Sequence, residues 1–193
     1  KPLTLYFSRP AIIDALAVAK EIIKTSNMPI LSFALLSAEG GTCTLTATDL
    51  NLSWSVPLSC KHETPHKACI PIFVTYSEIK ALPKGIDTIV LTFQNDKMSV
   101  NGRVRLSTVD PDDFPVIPFP TSDAIPASGL LDALKKVEAA ISKDDSRYIL
   151  TGAHIEKDTV VGTDGFRLHM EQLSSTIPDP GFTIPKSAVK IAT

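Results

Sequence analysis

The chain repeats one short pattern: IIDAL at residues 12–16 returns 118 residues later as LLDAL at residues 130–134. Each copy opens a segment in which apolar residues recur at spacings of four, three and four, the period of an amphipathic α-helix. These apolar positions are Ile12, Leu16, Ala19 and Ile23 in the first segment and Leu130, Leu134, Val137 and Ile141 in the second. The repeat therefore predicts two helices that bury matching faces in two related domains.

The residues that follow these helices also repeat, which extends the period to whole domains. ILSFALL at residues 30–36 resembles ILTGAHI at residues 149–155, and ATDL at residues 47–50 parallels GTDG at residues 162–165. The second pair is offset by 115 residues, so we expect a shorter hairpin in the second copy.

A finer period lies inside the first. An extended stretch that leads straight into a helix occurs four times, near Phe7 and at the Ile-Pro pairs of residues 70–71, 125–126 and 184–185. Proline suits the first turn of a helix because its φ is fixed and because the first helical N–H groups have no partner within the helix. The sequence therefore predicts two strand–helix–strand–strand–strand units in each domain.

Alternating apolar residues behind the helices predict antiparallel hairpins. We expect residues 42–47 to pair with residues 52–56, and residues 86–93 to pair with both 97–100 and 103–108. The predicted fold class is α+β, a clamp-like arrangement with helices on one face of antiparallel sheets.

Four prolines between residues 110 and 120 mark a domain boundary, because such a segment forms neither a helix nor a central strand. We expect a first domain at residues 1–109, a stiff and extended Pro-rich linker at residues 110–121, and an incomplete second domain at residues 122–193. The chain opens with Lys1 instead of Met, so its true start is expected further upstream.

The charge balance excludes a protein that coats nucleic acid through overall basicity. Lys and Arg number 19 against 21 Asp and Glu, for a net charge of −2, so any contact with DNA has to come from a local patch. Cys43, Cys60 and Cys69 form no C-x-x-C pair, which predicts neither a disulfide framework nor a zinc site and fits a reducing cytoplasm. No apolar run approaches the roughly 18–20 residues of a membrane span, and no signal peptide opens the sequence.

An ordered set of motifs resembles one family. In chain order the motifs are MPIL at 28–31, LTATDL at 45–50, GRVRLST at 102–108, DFP at 113–115, SRYILTG at 146–152, TDGFRL at 163–168 and IPK at 184–186. They cover nearly the whole chain and are similar to the β subunit of bacterial DNA polymerase III, the DNA sliding clamp. The resemblance implies three similar domains per chain, the third absent here, and a head-to-tail homodimer that forms a ring with helices around its hole. It also implies a processivity factor that encircles duplex DNA regardless of sequence and that has no catalytic residues, cofactor or metal of its own.

Basic residues on the two predicted helices, together with the loop after the second helix, are candidate DNA contacts. They are Lys20, Lys24, Lys135, Lys136, Lys143, Arg147 and Tyr148. Mobile lysines attract duplex phosphates without reading sequence, and the resemblance brings the loop towards DNA, where Tyr148 would stack on an unpaired base. The alternatives are an ordinary solvated helix face and a buried Tyr beside a structural Arg.

The resemblance also implies a hydrophobic cleft that receives short peptide motifs from the DNA polymerase and from clamp-loader subunits. Its residues here are Leu150, Thr163, Gly165, Phe166, Arg167 and Leu168. The family usually has His at the position of Phe166, and Arg167 is expected to hold a peptide carbonyl or terminus. The alternative is that all of these residues belong to the core of a hairpin.

Arg103 and Arg105 resemble the edge of the first domain that meets the other subunit of the ring. Alternating arginines on a strand are otherwise a solvated face, and Val74 stands where the family often has a basic residue. The sequence leaves both interpretations of these arginines open.

The sequence contains one match to a metal-site motif, because His62, Glu63 and His66 have H-E-x-x-H spacing. Pro65 between the two histidines is incompatible with the interior of the helix on which that motif depends, so we expect no metal site. Neither a phosphate-binding glycine loop nor G-x-S-x-G appears. The acidic residues around Pro111 lack the glycine turn of a calcium loop, and we expect Asp49 and Asp164 to fix hairpin turns instead of forming an acid–base pair. Two rival functions stay open: a clamp-like module from a phage or plasmid that never closes a ring, and a hydrolase on a repeated α+β fold.

Overall fold

The computed structural model describes residues 2–23, 28–62, 64–115 and 127–193. They belong to two units, Lys1–Pro118 and Phe119–Thr193. Much of the proline-rich segment lies outside the described residues. At the start of this segment, where we expected extended chain, Pro111–Asp113 form one 3-10 turn, because the Asp110 carboxylate accepts a hydrogen bond from the Asp112 N–H at 3.0 Å.

The first unit contains the strand–helix–strand–strand–strand pattern twice, as the sequence predicts. The first copy comprises β1 (Leu3–Ser8), α1 (Arg9–Ile23), β2 (Phe33–Glu39), β3 (Thr42–Thr48) and β4 (Ser53–Lys61). The second copy comprises β5 (His66–Pro71), α2 (Ile72–Lys80), β6 (Thr88–Gln94), β7 (Lys97–Val100) and β8 (Val104–Ser107). Each helix begins at the residue after a strand, and Pro71 is the N-cap of α2. The α+β fold class is confirmed.

The eight strands form one antiparallel sheet in the order β5-β2-β3-β4-β1-β6-β7-β8. The first strand of each copy pairs with the other copy, since β1 pairs along its length with β6 and β5 pairs with β2. A bridge between Cys69 and Val109, with backbone hydrogen bonds of 3.3 and 3.2 Å, joins the two ends of the strand order. Exchange of first strands therefore links the two copies into one sheet.

Both predicted hairpin pairings are right only in part. Residues 45–47 pair with residues 54–56 as expected, but β4 runs further than predicted and residues 42–44 pair with residues 57–59. The expected pairing of residues 86–93 with 103–108 is wrong, because β8 pairs with β7 and not with β6. Asn101 and Gly102 both have positive φ, which allows a tight turn that folds β8 directly back onto β7.

Helix α1 presents the predicted apolar stripe to the core. Ile12, Leu16, Ala19 and Ile23 are each at most 4% exposed, and α1 packs against α2 and β3. Strands β2, β3 and β6 alternate buried with more exposed residues, so that one face of the sheet is covered. Each fully buried Leu or Ile stabilises the unit by roughly 1.5–3 kcal/mol.

Arg9, the first residue of α1, binds the far end of α2. Its guanidinium donates hydrogen bonds to main-chain carbonyls of residues 79–86, of which Leu82 O and Pro83 O are closest at 2.8 Å each. A positive charge at the C-terminal end of a helix interacts favourably with the helix dipole. Arg9 therefore ties the two copies together on the helix side of the sheet.

The second unit repeats half of this arrangement. It comprises α3 (Leu130–Glu138), β9 (Gly152–Glu156), β10 (Thr159–Thr163), β11 (Leu168–Gln172), β12 (Phe182–Pro185) and α4 (Lys186–Ala192). The sheet order β11-β10-β9-β12 corresponds to β4-β3-β2-β5 of the first unit. Leu134, Val137 and Ile141 are buried as predicted. Gly162 allows α3 to approach closely, because a Cβ there would lie 2.6 Å from the Val137 carbonyl oxygen. No helix among the described residues is long and apolar enough to cross a lipid bilayer.

The prediction that the cysteines form no disulfide is wrong. Cys43 in β3 and Cys60 in β4 are joined by a disulfide, with their Cα atoms 5.8 Å apart. Their separation of 17 residues matches no sequence motif. The hairpin register places Cys43 opposite Leu58, so Cys60, two residues further along β4, is the diagonal neighbour of Cys43 on the same face of the sheet. Cys69 is a buried free thiol.

Candidate nucleic-acid and peptide interfaces

The lysine predicted on α1 packs against an aromatic cluster of α2. The Lys20 ammonium lies 3.9 Å from the Tyr76 ring centroid and 6.0 Å from that of Phe73. Lys80 also lies over Tyr76, at 5.6 Å. Cation–π contacts hold Lys20 at the junction of the two helices, where its charge stays partly exposed. The neighbouring candidate Lys24 lies outside the described residues.

The two lysines predicted on α3 differ in their contacts. Both are exposed in the last turn of the helix. Lys136 Nζ forms a salt bridge of 2.9 Å with Glu171 of β11, and its carbonyl is 3.0 Å from His169 Nδ1. Part of the Lys136 charge is therefore compensated, so Lys135 is the better placed of the two to attract an anion.

A basic cavity of about 400 Å³ lies between the end of α3 and the start of α4, and the sequence pattern did not reveal it. Lys143, Lys186 and Lys190 line it. Lys186 Nζ donates to the carbonyl oxygens of Ile141 at 3.1 Å and Ser142 at 3.3 Å. Burial, followed by the nearby charge of Lys143, lowers the pKa of Lys186. The three ammonium groups outnumber the one carboxylate that lines the cavity, that of Asp145, so the net positive charge favours an anionic ligand.

The turn between β10 and β11 is organised by one carboxylate. Asp164 Oδ1 accepts hydrogen bonds from the backbone N–H groups of Phe166 and Arg167, each at 3.0 Å, and Oδ2 accepts from Arg167 Nε at 2.9 Å. The two backbone hydrogen bonds lower the pKa of Asp164. The prediction that Asp164 fixes this turn is confirmed. Arg167 is thereby held against the turn.

Arg147, predicted from the sequence as a DNA contact, lies with the predicted cleft residues. Its Nη1 donates to the Asp164 carbonyl oxygen at 3.3 Å, and its guanidinium lies 5.8 Å from the Phe166 ring centroid. A Cβ at Gly165 would stand 3.0 Å from Arg147 Nη1 and 3.8 Å from Leu150. The structure thus brings Arg147, Leu150, Gly165 and Phe166 together.

Several apolar residues in or next to this group along the chain are exposed. Phe166 is 91% exposed, Tyr148 77%, Ile149 72% and Leu168 59%. The alternative of a buried hairpin core is therefore wrong for Phe166 and Leu168, and the alternative of a buried Tyr is wrong for Tyr148. Ile149 was not predicted as a site residue, because a single apolar residue in a loop carries no periodic signal. Thr163 instead has a local role, donating its hydroxyl to the Arg167 carbonyl at 2.8 Å.

The candidate subunit contacts lie on and beside the last strand of the first unit. Arg105 is exposed in β8, and Arg103 is exposed in the turn before it. Arg105 also lines a cavity of about 620 Å³ with Lys97 and residues of β6 and β7. These positions leave both guanidinium groups accessible at the β8 end of the strand order.

No group of three or more His, Cys, Asp or Glu side chains within the described ranges is placed to hold a metal ion. His66 packs against Phe93 with ring centroids 4.8 Å apart. Its buried Nε2 has no hydrogen-bond partner in the described part of the chain. Burial lowers the pKa of His66, which makes it a structural residue of β5 that is neutral at pH 7.

This chain is similar in sequence and in fold to known proteins. A family model described as the N-terminal domain of the DNA polymerase III beta subunit matches residues 3–118. The beta sliding clamp of Caulobacter vibrioides is 28% identical over 96% of this chain and 55% of its own length. The beta sliding clamp of Pseudomonas aeruginosa is 32% identical over 83% of this chain and 47% of its own length.

Solved structures agree with these relatives. A Caulobacter crescentus beta sliding clamp with polyethylene glycol bound at a proposed β-motif tethering region has a TM-score of 0.84 at 26% identity, covering 99% of this chain and 56% of that one. A Bartonella birtlesii sliding clamp bound to griselimycin has a TM-score of 0.85 at 25% identity, covering 100% of this chain and 56% of that one. The chain spans about half the length of the curated relatives it matches. It belongs to the family of the DNA polymerase III β subunit.

Proposed function

We propose that this chain is part of a DNA sliding clamp, a ring that encircles duplex DNA in the cytoplasm and tethers the replicative polymerase to its template. The observation that carries the proposal is repetition within a chain of this family: the second unit repeats the strand order of half the first. A closed ring is built from repeated copies of one unit. Such a ring acts by topology, without catalysis of its own.

Contact with DNA would be electrostatic and independent of sequence. Lysines on α3 and around the basic cavity of the second unit, all exposed except the half-buried Lys186, supply charge without base-reading geometry. We assign this role to Lys135, Lys143, Lys186 and Lys190, with a weaker contribution from Lys136 because of its salt bridge to Glu171. Such contacts are individually weak and fall steeply with salt, so lasting attachment would come from ring closure.

The exposed apolar surface of the second unit would receive short peptide motifs from the polymerase and the clamp loader. Phe166, Leu168 and Ile149 offer apolar contacts, while Arg147 and Arg167 offer guanidinium groups for a peptide carbonyl or carboxylate. The tethering region described for the Caulobacter crescentus structure supports a peptide site in this family. Arg103 and Arg105, at the β8 end of the sheet, would meet the second subunit of a homodimer.

Primer extension on a long single-stranded circular template tests this function. The gene product is added to its cognate polymerase and clamp loader, with excess competitor DNA that traps any polymerase that dissociates. The measured quantity is the length of product made in one polymerase binding event. We expect this length to increase by about tenfold or more when the protein is present, because a tethered polymerase does not leave the template. Unchanged product lengths would indicate an open binding module, and DNA hydrolysis by the protein itself would indicate an enzyme.

A further inference from the structure

The two cysteines of the disulfide in the first unit differ in exposure. Cys43 is fully buried in β3. Cys60, in β4, is partly exposed and lines a cavity of about 450 Å³ together with Ser59, Lys61 and Asp87. A small molecule that enters this cavity therefore reaches Cys60 and not Cys43.

Cys60 also lies at the junction between the two halves of the eight-stranded sheet. Among the described residues, β1 and β4 share two register pairs, Tyr6 with Lys61 and Phe7 with Cys60. By contrast, β1 and β6 share six pairs. The disulfide anchors β4 to the buried strand β3 at this narrow junction, which we call the β1–β4 seam.

We propose that the Cys43–Cys60 disulfide is a reversible thiol-exchange site, which a small thiol such as glutathione enters at Cys60 and which sets how firmly the β1–β4 seam is held. A glutathione thiolate attacks the Cys60 sulfur, the Cys43–Cys60 bond breaks, and Cys43 leaves as a thiolate that takes up a proton. A second glutathione thiolate attacks the glutathione sulfur of the mixed disulfide and releases Cys60. In total, two glutathione molecules are oxidised to one glutathione disulfide while the protein disulfide is reduced to two thiols.

Cys69 provides an internal contrast. It is buried in β5, and burial, followed by the charges of Asp110 and Asp113, raises the pKa of its thiol to about 11. The Cys69 thiol is therefore protonated near neutral pH and unreactive towards disulfides. Modification by glutathione should discriminate between Cys60 and Cys69 within the same chain.

Equilibration of the chain in glutathione buffers of graded redox ratio, followed by acid quench and peptide mass spectrometry, tests the site. We expect one glutathione adduct, on Cys60, at intermediate ratios, and a Cys43–Cys60 disulfide at oxidising ratios. Cys69→Ser should leave this titration unchanged, whereas Cys43→Ser should trap the adduct on Cys60. An adduct on Cys43 or Cys69, or three free thiols under oxidising conditions, would overturn the proposal.

Hydrogen exchange tests the structural consequence and does not depend on any variant folding. On reduction, amide exchange at residues 6–8 and 59–61 should accelerate by about tenfold or more, because local opening at the seam becomes easier once β4 is no longer anchored to β3. Amides of β6 and β7, and those of the second unit, are the matched controls and should keep their rates. Equal protection in both redox states, or a uniform loss of protection across the first unit, would contradict a device that acts at the seam.

Discussion

Replacing Arg9 by Met tests the tie between the two copies of the first unit. Met retains most of the aliphatic length of Arg but removes the guanidinium that donates to main-chain carbonyls at the end of α2. Two of these contacts are short, Nη1 to Pro83 O and Nη2 to Leu82 O at 2.8 Å each, and the other three range from 3.1 to 3.5 Å. We therefore expect Arg9→Met to destabilise the first unit.

The two short contacts dominate the expected magnitude. A hydrogen bond to a charged group contributes about 1.5–3 kcal/mol to stability, and a charge at a helix C-terminus about 0.3–1 kcal/mol. The guanidinium is partly exposed and water replaces some of what it loses, so we expect Arg9→Met to lower the free energy of unfolding by about 2–4 kcal/mol. Arg9→Lys keeps the charge but loses the planar fork and should cost about half as much.

Urea unfolding followed by tryptophan fluorescence measures this loss. Trp54, the one tryptophan of the sequence, lies in β4 and reports on the first unit. The urea midpoint should be highest for the unaltered protein, lower for Arg9→Lys and lowest for Arg9→Met, with the m-value unchanged. A loss below about 0.5 kcal/mol for Arg9→Met, the range of ordinary surface substitutions, would refute the tie, as would a Lys variant no more stable than the Met variant.

Substitutions at three other positions separate stability from binding. Burial lowers the pKa of His66, so its neutral form favours the folded state. This contribution to stability is complete above the ordinary pKa of about 6.5 and is lost as the pH falls below that value. His66→Leu should therefore flatten the dependence of the urea midpoint on pH below about 6.5, and an unaltered dependence would count against the role of His66. Gly162→Ala places a Cβ 2.6 Å from the Val137 carbonyl oxygen; overpacking of about 1–3 kcal/mol should lower the thermal midpoint seen by circular dichroism, and an unchanged midpoint would argue against the close approach. Phe166 is 91% exposed, so Phe166→Ala should leave that midpoint in place but weaken binding of a polymerase-derived peptide by about tenfold or more in fluorescence anisotropy. The matched control is Val74→Ala, which changes an exposed apolar residue of the first unit. If the Phe166→Ala and Val74→Ala variants bind the peptide with equal affinity, Phe166 is not part of the cleft.

Local signals in the sequence predicted the helices and the turns. The stripe from Ile12 to Ile23 is buried, because a period of 3.6 residues fixes which helix face meets the core. Asp49 Oδ1 accepts hydrogen bonds from the N–H groups of Asn51 and Leu52 at 2.9 and 2.7 Å, as expected of an Asp that opens a hairpin turn. Both features depend on residues close together in sequence, so the pattern was sufficient.

Features that depend on long-range pairing were not predictable. The insertion of β1 between β4 and β6 leaves no periodic signal, because alternation gives the face of a strand but not its neighbour. The same holds for the Cys43–Cys60 disulfide, which depends on hairpin register. Lys186 approaches Lys143 because α4 follows β12 directly, and the Ile-Pro-Lys motif alone does not show which residues that turn brings together.

The most direct test of a topological clamp is retention on DNA with and without free ends. The gene product is loaded onto nicked circular duplex by its clamp loader, washed at about 1 M salt, where electrostatic contacts are screened within roughly 3 Å, and assayed again after the circle is cut. A ring predicts retention on the circle and loss from the linear form. Equal loss from both at high salt would show that attachment is electrostatic, and would contradict encirclement.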